Sequence, residues 1–373
     1  MKSVARVVAF SAPVVAVVVA CAGTGMPMYE IEAISLPGQS VSTGDAVSPS
    51  GNYAAGTSDN APVRWDGSTG TTSLASLGSR PFNLMRGVND SGVAVGIGAT
   101  TFFGSSPLPL IWTGPSSVAQ LPLPAGETLG RAYSINSSGM VVGSVNGGSL
   151  ERAAVYTTSS GSVLTQTMPN GGVLTTAYGI NGGGRIVGQA LDPTNAAVTK
   201  GFYLDPGDGT ATDIGALTAL GHNSAIAFAV SSDGRIAGSS SLNSGADVRP
   251  FVWTESGGMM EVPLLPGTTT GGARGVNASG WVVGTMSSVT SIAYLFDGTQ
   301  TYALDDLLAP GSGWDLTSGT SNGAFGIADN GVIVGRGLLN GQLTAFVMTP
   351  VPGPGGCGLL ALAGVASWGR RRR

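Results

Sequence analysis

Charge is what this 373-residue sequence has least of. Asp, Glu, Lys and Arg together make up 10% of it, against roughly a quarter in ordinary soluble domains. Six of the 17 basic residues (Lys2, Arg6, Arg370, Arg371, Arg372 and Arg373) sit at the two ends. The body between them keeps 11 basic residues against all 21 acidic ones, a balance of about −10. Such a body is poorly matched to nucleic acid, because affinity for phosphate backbones comes largely from Lys and Arg displacing counterions. Cysteine is nearly absent: Cys21 and Cys357 lie in the terminal segments. The body therefore has no disulfide, no thiolate metal centre and no thiol nucleophile, and its fold must rest on burial and strand pairing. Histidine occurs once, at His222, and a lone histidine is more often a surface or satisfied residue than a catalyst. Against these absences stand 61 glycines, about twice the average share. With many Val, Thr and Ser, they suggest short strands joined by many turns.

The two ends read as addresses. Lys2 and Arg6 precede about 14 apolar residues, 7–20, the pattern of a secretory signal peptide. The run is short for a membrane span, which takes about 20 residues. Residues 1–22 are thus expected to direct export. Ala20-Cys21-Ala22 fits the small-residue rule of ordinary cleavage, the favoured reading. Val18-Val19-Ala20-Cys21 also resembles a lipobox, in which Cys21 would become a lipidated N-terminus. At the other end, Pro352 and Pro354 prevent a helix from continuing into the body. About a dozen apolar residues follow, and then the four arginines, which would halt translocation by the positive-inside bias. An ordinary tail anchor would share these features. Residues 351–373 resemble the PEP-CTERM sorting tails of exopolysaccharide-producing bacteria, with Pro352, Pro354, Gly355, Arg370, Arg371, Arg372 and Arg373 as the motif. Gly353 stands where that family carries Glu, as in planctomycete-type variants. The resemblance implies recognition by exosortase-type machinery and delivery to the cell envelope, the outer surface or an extracellular matrix.

The body is one unit seven times over. Turns of the form apolar-Asn/Ser-x-x-Gly recur, as in Val88-Asn-Asp-Ser-Gly92 and Ile135-Asn-Ser-Ser-Gly139. Their glycines are Gly51, Gly92, Gly139, Gly184, Gly234, Gly280 and Gly331, spaced 41, 47, 45, 50, 46 and 51 residues apart. Each turn leads into a short apolar strand ending in glycine: Gly56, Gly96, Gly143, Gly188, Gly238, Gly284 or Gly335. The fifth-place glycine can take the left-handed conformation of a bulged hairpin, so the Asn and Asp residues here read as turn-formers. Between the turns lie an aromatic strand, such as Pro109-Leu-Ile-Trp112 or Pro250-Phe-Val-Trp253, and a leucine-rich segment read as a further strand: 74–77, 121–124, 214–217, 262–266 and 304–308. Four strands in about 46 residues is the size of one propeller blade. The body, 27–349, is therefore expected to be an all-β, seven-bladed β-propeller. Residues 29–37 look like a leucine-type strand without its aromatic partner, and 343–348 like an aromatic strand without its leucine partner. Together they would complete one blade and leave no open edge. The alternative is an open β-solenoid. The units resemble the HAF-repeat family of extracellular bacterial proteins over about residues 29–349, although the His of that name is missing from every copy.

Chemistry is harder to find. Asp205-Pro-Gly-Asp-Gly209 lacks the alternating ligands and closing Glu of a calcium loop. Asp305 and Asp306, adjacent on an expected strand, would face opposite ways. Ser231-Ser-Asp-Gly234 begins like a sialidase Asp box but lacks its Thr-Trp ending. No cofactor, metal or catalytic residue is expected. Three functions fit: a structural or interaction module with surface proteins or exopolysaccharide as partners, a glycan-binding propeller using aromatics such as Trp281 or Trp314, or a hydrolase or lyase with a site in the central channel.

Overall fold

In the computed structural model the described residues are 28–351, apart from 40, 102, 103, 147, 149 and 244. The expected leader with Cys21 lies outside them. So does the expected sorting motif of the tail, Pro352, Pro354, Gly355, Arg370, Arg371, Arg372 and Arg373. Six repeats fold as four-stranded antiparallel sheets, their strands in chain order from the axis outward, and the seventh sheet has a fifth, two-residue strand, Trp314–Asp315, and takes its outermost strand from the start of the body. The first blade is Ser42–Val47, Tyr53–Ser58, Ala61–Asp66 and Gly70–Ser73. The inner strands of the next five blades are Phe82–Val88, Gly130–Ile135, Leu174–Ile180, Ser224–Val230 and Thr270–Val276. That of the seventh is Gly323–Ile327, and it packs beside the first, so the inner strands form a closed ring. This is a seven-bladed β-propeller and not an open solenoid.

Closure uses both ends of the body. Met28–Ala33 is the outermost strand of the seventh blade and pairs antiparallel with Gln342–Val351, Met28 opposite Val351 and Ala33 opposite Phe346. The last strand thus runs two residues past the expected boundary at 349. Val351 belongs to the blade and not to the tail.

The turn glycines take φ between +71° and +92° at all seven positions, a region that favours glycine. In the second blade, the Gly92 N–H donates to the Asn89 carbonyl (2.9 Å) and the Asn89 N–H to the Val93 carbonyl (3.0 Å), a type I turn followed by a glycine bulge. The aromatic strand is third in each blade, and Trp112, Tyr156, Trp253 and Phe296 on it are buried. The leucine segments are not strands. The fourth strands end at Ser73, Gln120, Asp213, Glu261 and Ala303, just before the leucines begin. Leu74 instead packs with Met85 and Leu110 of the next blade, and Ile214 with Ala225 and Phe251. The fourth strand is the polar outer edge of its blade. The leucines that follow it dive between blades, where their apolar surface leaves water.

Candidate functional site: the central channel

In every inner strand the ladder to the second strand skips a residue at the same place: Asp45, Arg86, Tyr133, Tyr178, Phe228, Arg274 and Phe325, with Thr175 skipped as well in the fourth blade. Each of the seven stands six residues before its turn glycine. An unpaired residue in a ladder bends the strand and re-aims its side chain, and all seven of these line one cavity along the propeller axis. The glycine of each second strand explains how the bulge fits. A Cβ at Gly56, Gly96, Gly143, Gly188, Gly238, Gly284 or Gly335 would collide with an inner-strand carbonyl: that of Thr43, Leu84, Arg131, Thr176, Ile226, Gly272 or Gly323.

The seven side chains divide by chemistry. Tyr133, Tyr178 and Phe228 form an aromatic arc, neighbouring rings 5.2 Å apart and tilted. The Arg274 guanidinium lies 4.0 Å from the centre of the Phe228 ring, within cation–π reach. On the other arc, Arg86 is 3.5 Å from the Asp45 carboxylate. Arg336, from the second strand of the seventh blade, lies over Phe325 and donates to the Ser321 carbonyl (2.6 Å). Burial raises the Asp45 carboxyl above its ordinary range despite Arg86 and Arg336, and burial pushes the Tyr178 hydroxyl up to about 12. Arg274 is open to channel water yet walled by protein, and that partial desolvation moves its pKa down.

A second cavity of about 350 Å³ opens beside Arg274, between the fifth, sixth and seventh blades, on the face away from the glycine turns. Arg336, Phe325 and the hydroxyls of Thr270, Thr285 and Ser287 line it, with Asn322.

Residues singled out from the sequence lie elsewhere. His222 is the satisfied kind of lone histidine, buried in its loop. Its Nδ1 is 3.1 Å from Ser240 Oγ and its Nε2 is 3.4 Å from Asp247. The residue types are those of a serine triad, but the Ser240 hydroxyl is sealed. It donates to the Ser224 carbonyl and accepts from the Leu217 N–H, so no substrate can reach it. Asp205 pairs with Arg185 through bonds of 2.7 and 2.6 Å, and its loop is a hairpin turn. Asp305 and Asp306 lie in a 3-10 turn, Leu304–Leu307, and not on a strand. Asp305 accepts from the Leu316 N–H and the Thr317 hydroxyl. Trp281 and Trp314 are half-buried, Trp314 edge-on to Phe346 at 5.9 Å, so neither forms an exposed shelf. Among the described residues no cluster of three His, Cys, Asp or Glu could hold a metal. Tyr133, Tyr178, Phe228 and Phe325, also half-buried, line the channel cavity. Counting six residues back from each turn glycine would have found them.

No family model matches the chain, and no curated protein does. Solved structures do. One is the extracellular domain of a two-component system from B. thetaiotaomicron, 12% identical with a TM-score of 0.50, the match covering 86% of this chain and 40% of that one. Another is the β-propeller domain of Cps50 (Swd1) from Myceliophteria thermophila, 10% identical with a TM-score of 0.46, covering 85% and 99%. At 12% identity the likeness to the first shows the fold alone.

Proposed function

We propose that the protein is an exported propeller, held at the cell surface or in an exopolysaccharide matrix, that acts as a structural or interaction module and not as a catalyst. One observation carries the reading of the body. The frame is constant from blade to blade, while the seven bulge residues aimed into the channel differ in charge, size and polarity. A fixed scaffold presenting a varied set of side chains suits recognition. The leader and the PEP-CTERM-like tail support export and surface sorting, with exosortase-type machinery as the partner of the tail. A glycan ligand is the second reading, favoured by the aromatic arc of Tyr133, Tyr178 and Phe228.

Capture from the native extracellular matrix, followed by identification of glycans and proteins, tests this. Retention of a matrix glycan or surface protein is expected, and a chain found only inside the cell would overturn it. Deleting residues 352–373 should release a folded body into the medium, and a misfolded or membrane-held product would count against the sorting role of the tail.

A further inference from the structure

The channel reverses the charge of the body. The residues lining its two cavities include three arginines, Arg86, Arg274 and Arg336, and two carboxylates, Asp45 and Asp329. Asp329 lies at the turn end, where it accepts from the Ala278 N–H and the Ser232 hydroxyl. At the level of the bulges three guanidiniums therefore face Asp45 alone, inside a body of about −10. Arg86 takes Asp45, and Arg336 is tied to the Ser321 carbonyl. Arg274 has no ion pair among the described residues and rests on Phe228. Desolvation does most to disfavour the charged forms of Arg274 and Arg336; Asp45 opposes this at Arg336, and the positive charge of Arg86 adds a smaller repulsion at both. An anion placed among them would relieve that repulsion, and a planar carboxylate fits the fork of a guanidinium.

The cavity beside Arg274 adds a second, independent sign. Asn322 is 2% exposed and lines it, yet neither its amide oxygen nor its amide nitrogen has a hydrogen-bond partner. Buried amides are almost always paired, so this one leaves an uncompensated polar spot directly behind the cavity wall, although its own amide atoms are sealed from solvent. Around it stand the hydroxyls of Thr270, Thr285 and Ser287, and the ring of Phe325. The volume, about 350 Å³, lies in the range of small-ligand sites.

We propose that this cavity binds a carboxylate-bearing sugar, such as one hexuronic acid unit of an acidic polysaccharide. Arg274, backed by Arg336, takes the carboxylate. The Ser and Thr side chains take the ring hydroxyls, and Phe325 meets the apolar C–H face. The inference deepens the reading of the body as a matrix-interaction module.

The test is calorimetric titration of the full chain with galacturonate trisaccharide, its methyl ester, acetate and sulfate. The acid should bind, the neutral ester at least tenfold more weakly, and acetate and sulfate not measurably at the same concentration. Arg274→Gln should weaken the acid at least tenfold without moving the thermal midpoint, and Arg336→Gln should weaken it less. No binding of the acid, equal binding of the ester, sulfate bound as tightly as the acid, or an unaffected Arg274→Gln would each overturn the proposal. A chain that binds uronate but never reaches the surface would sink the export reading and leave this one. A surface chain that binds none would sink this one alone.

Discussion

At the scale of single residues, asparagine does more than shape turns. The Asn136 side-chain oxygen accepts from the Ser138 and Met140 N–H groups of its own turn (3.1 and 3.0 Å), while its amide nitrogen donates to the Asn181 carbonyl of the next blade (3.3 Å). Asn89 reaches Asn136, Asn181 reaches Ser231, and Asn277 reaches Ala328 in the same way. Four buried asparagines thus fasten neighbouring blades near the axis. Asn136→Ala is expected to cost roughly 1–3 kcal/mol, since it leaves buried backbone groups unpaired. Asn136→Ser should cost less, because a serine can cap its own turn, as Ser231 does towards the Arg235 N–H (2.9 Å), but cannot span to the next blade. Urea unfolding of both variants checks this: a serine variant as stable as the parent would mean that the inter-blade bond contributes nothing, and equal losses would mean that the turn cap contributes nothing. Asp45 gives a pH dependence. Burial raises its folded-state pKa, so the folded protein holds this proton more tightly than the unfolded chain does. Its contribution to stability is full below the unfolded value, about 4, and is lost as pH rises through the raised folded value. The stability of Asp45→Asn relative to the parent should therefore increase between pH 3.5 and pH 7 in urea titrations. A difference independent of pH would show that Asp45 titrates normally.

At the scale of elements, each inner strand depends on the glycine across from its bulge. Gly143→Ala would drive a methyl group into the Arg131 carbonyl, an overpacking against backbone that should cost about 1–3 kcal/mol or more. Gly209→Ala, where nothing lies within 4 Å, should be near neutral in the same melting experiment. The same pair of elements shows what was legible in the sequence. The period, the turn glycines and the strand glycines recur, so the number of blades and the two central strands of each could be read directly. The channel residue also recurs, but only in position. Its identity runs Asp, Arg, Tyr, Tyr, Phe, Arg, Phe, and a residue whose type varies leaves no motif. The leucine segments were legible as buried, yet leucine is buried equally well in a strand or in a loop tucked between blades. Only the ladder decides which. His222 was legible as a surface or satisfied loop residue, but which of the two could not be read, because its partners Ser240 and Asp247 lie 18 and 25 residues downstream.

At the scale of the whole molecule, the ring is held shut by one non-covalent seam. Met28–Ala33 covers the outer edge of Gln342–Val351. Behind it, the Ile34 N–H donates to the Ala345 carbonyl (2.9 Å) and the Ala345 N–H to Ser42 Oγ (2.7 Å), which joins the last blade to the first. Deleting residues up to 37 removes the seam strand, bares the edge of the last strand and uncovers Phe346 and Val347, both fully buried in the intact ring. Bare edges and apolar faces pair with other copies. The truncated protein is expected to aggregate and to lose its cooperative transition, not merely to lose one blade. A circular permutant separates the need for the strand from the need for free ends. Met28 and Val351 are register partners, so a short linker can join them. New termini can open beside Val289, which is 90% exposed in a loop of the sixth blade. The permutant keeps every strand pair and makes the seam covalent. Opening a loop at the surface costs little, and closing the chain across the seam removes entropy from the unfolded state. It should remain monomeric on size exclusion and melt at or above the temperature of the parent. If the permutant aggregates as the deletion does, the seam is not what holds the ring, and the stability of the propeller must be sought in its inter-blade contacts instead.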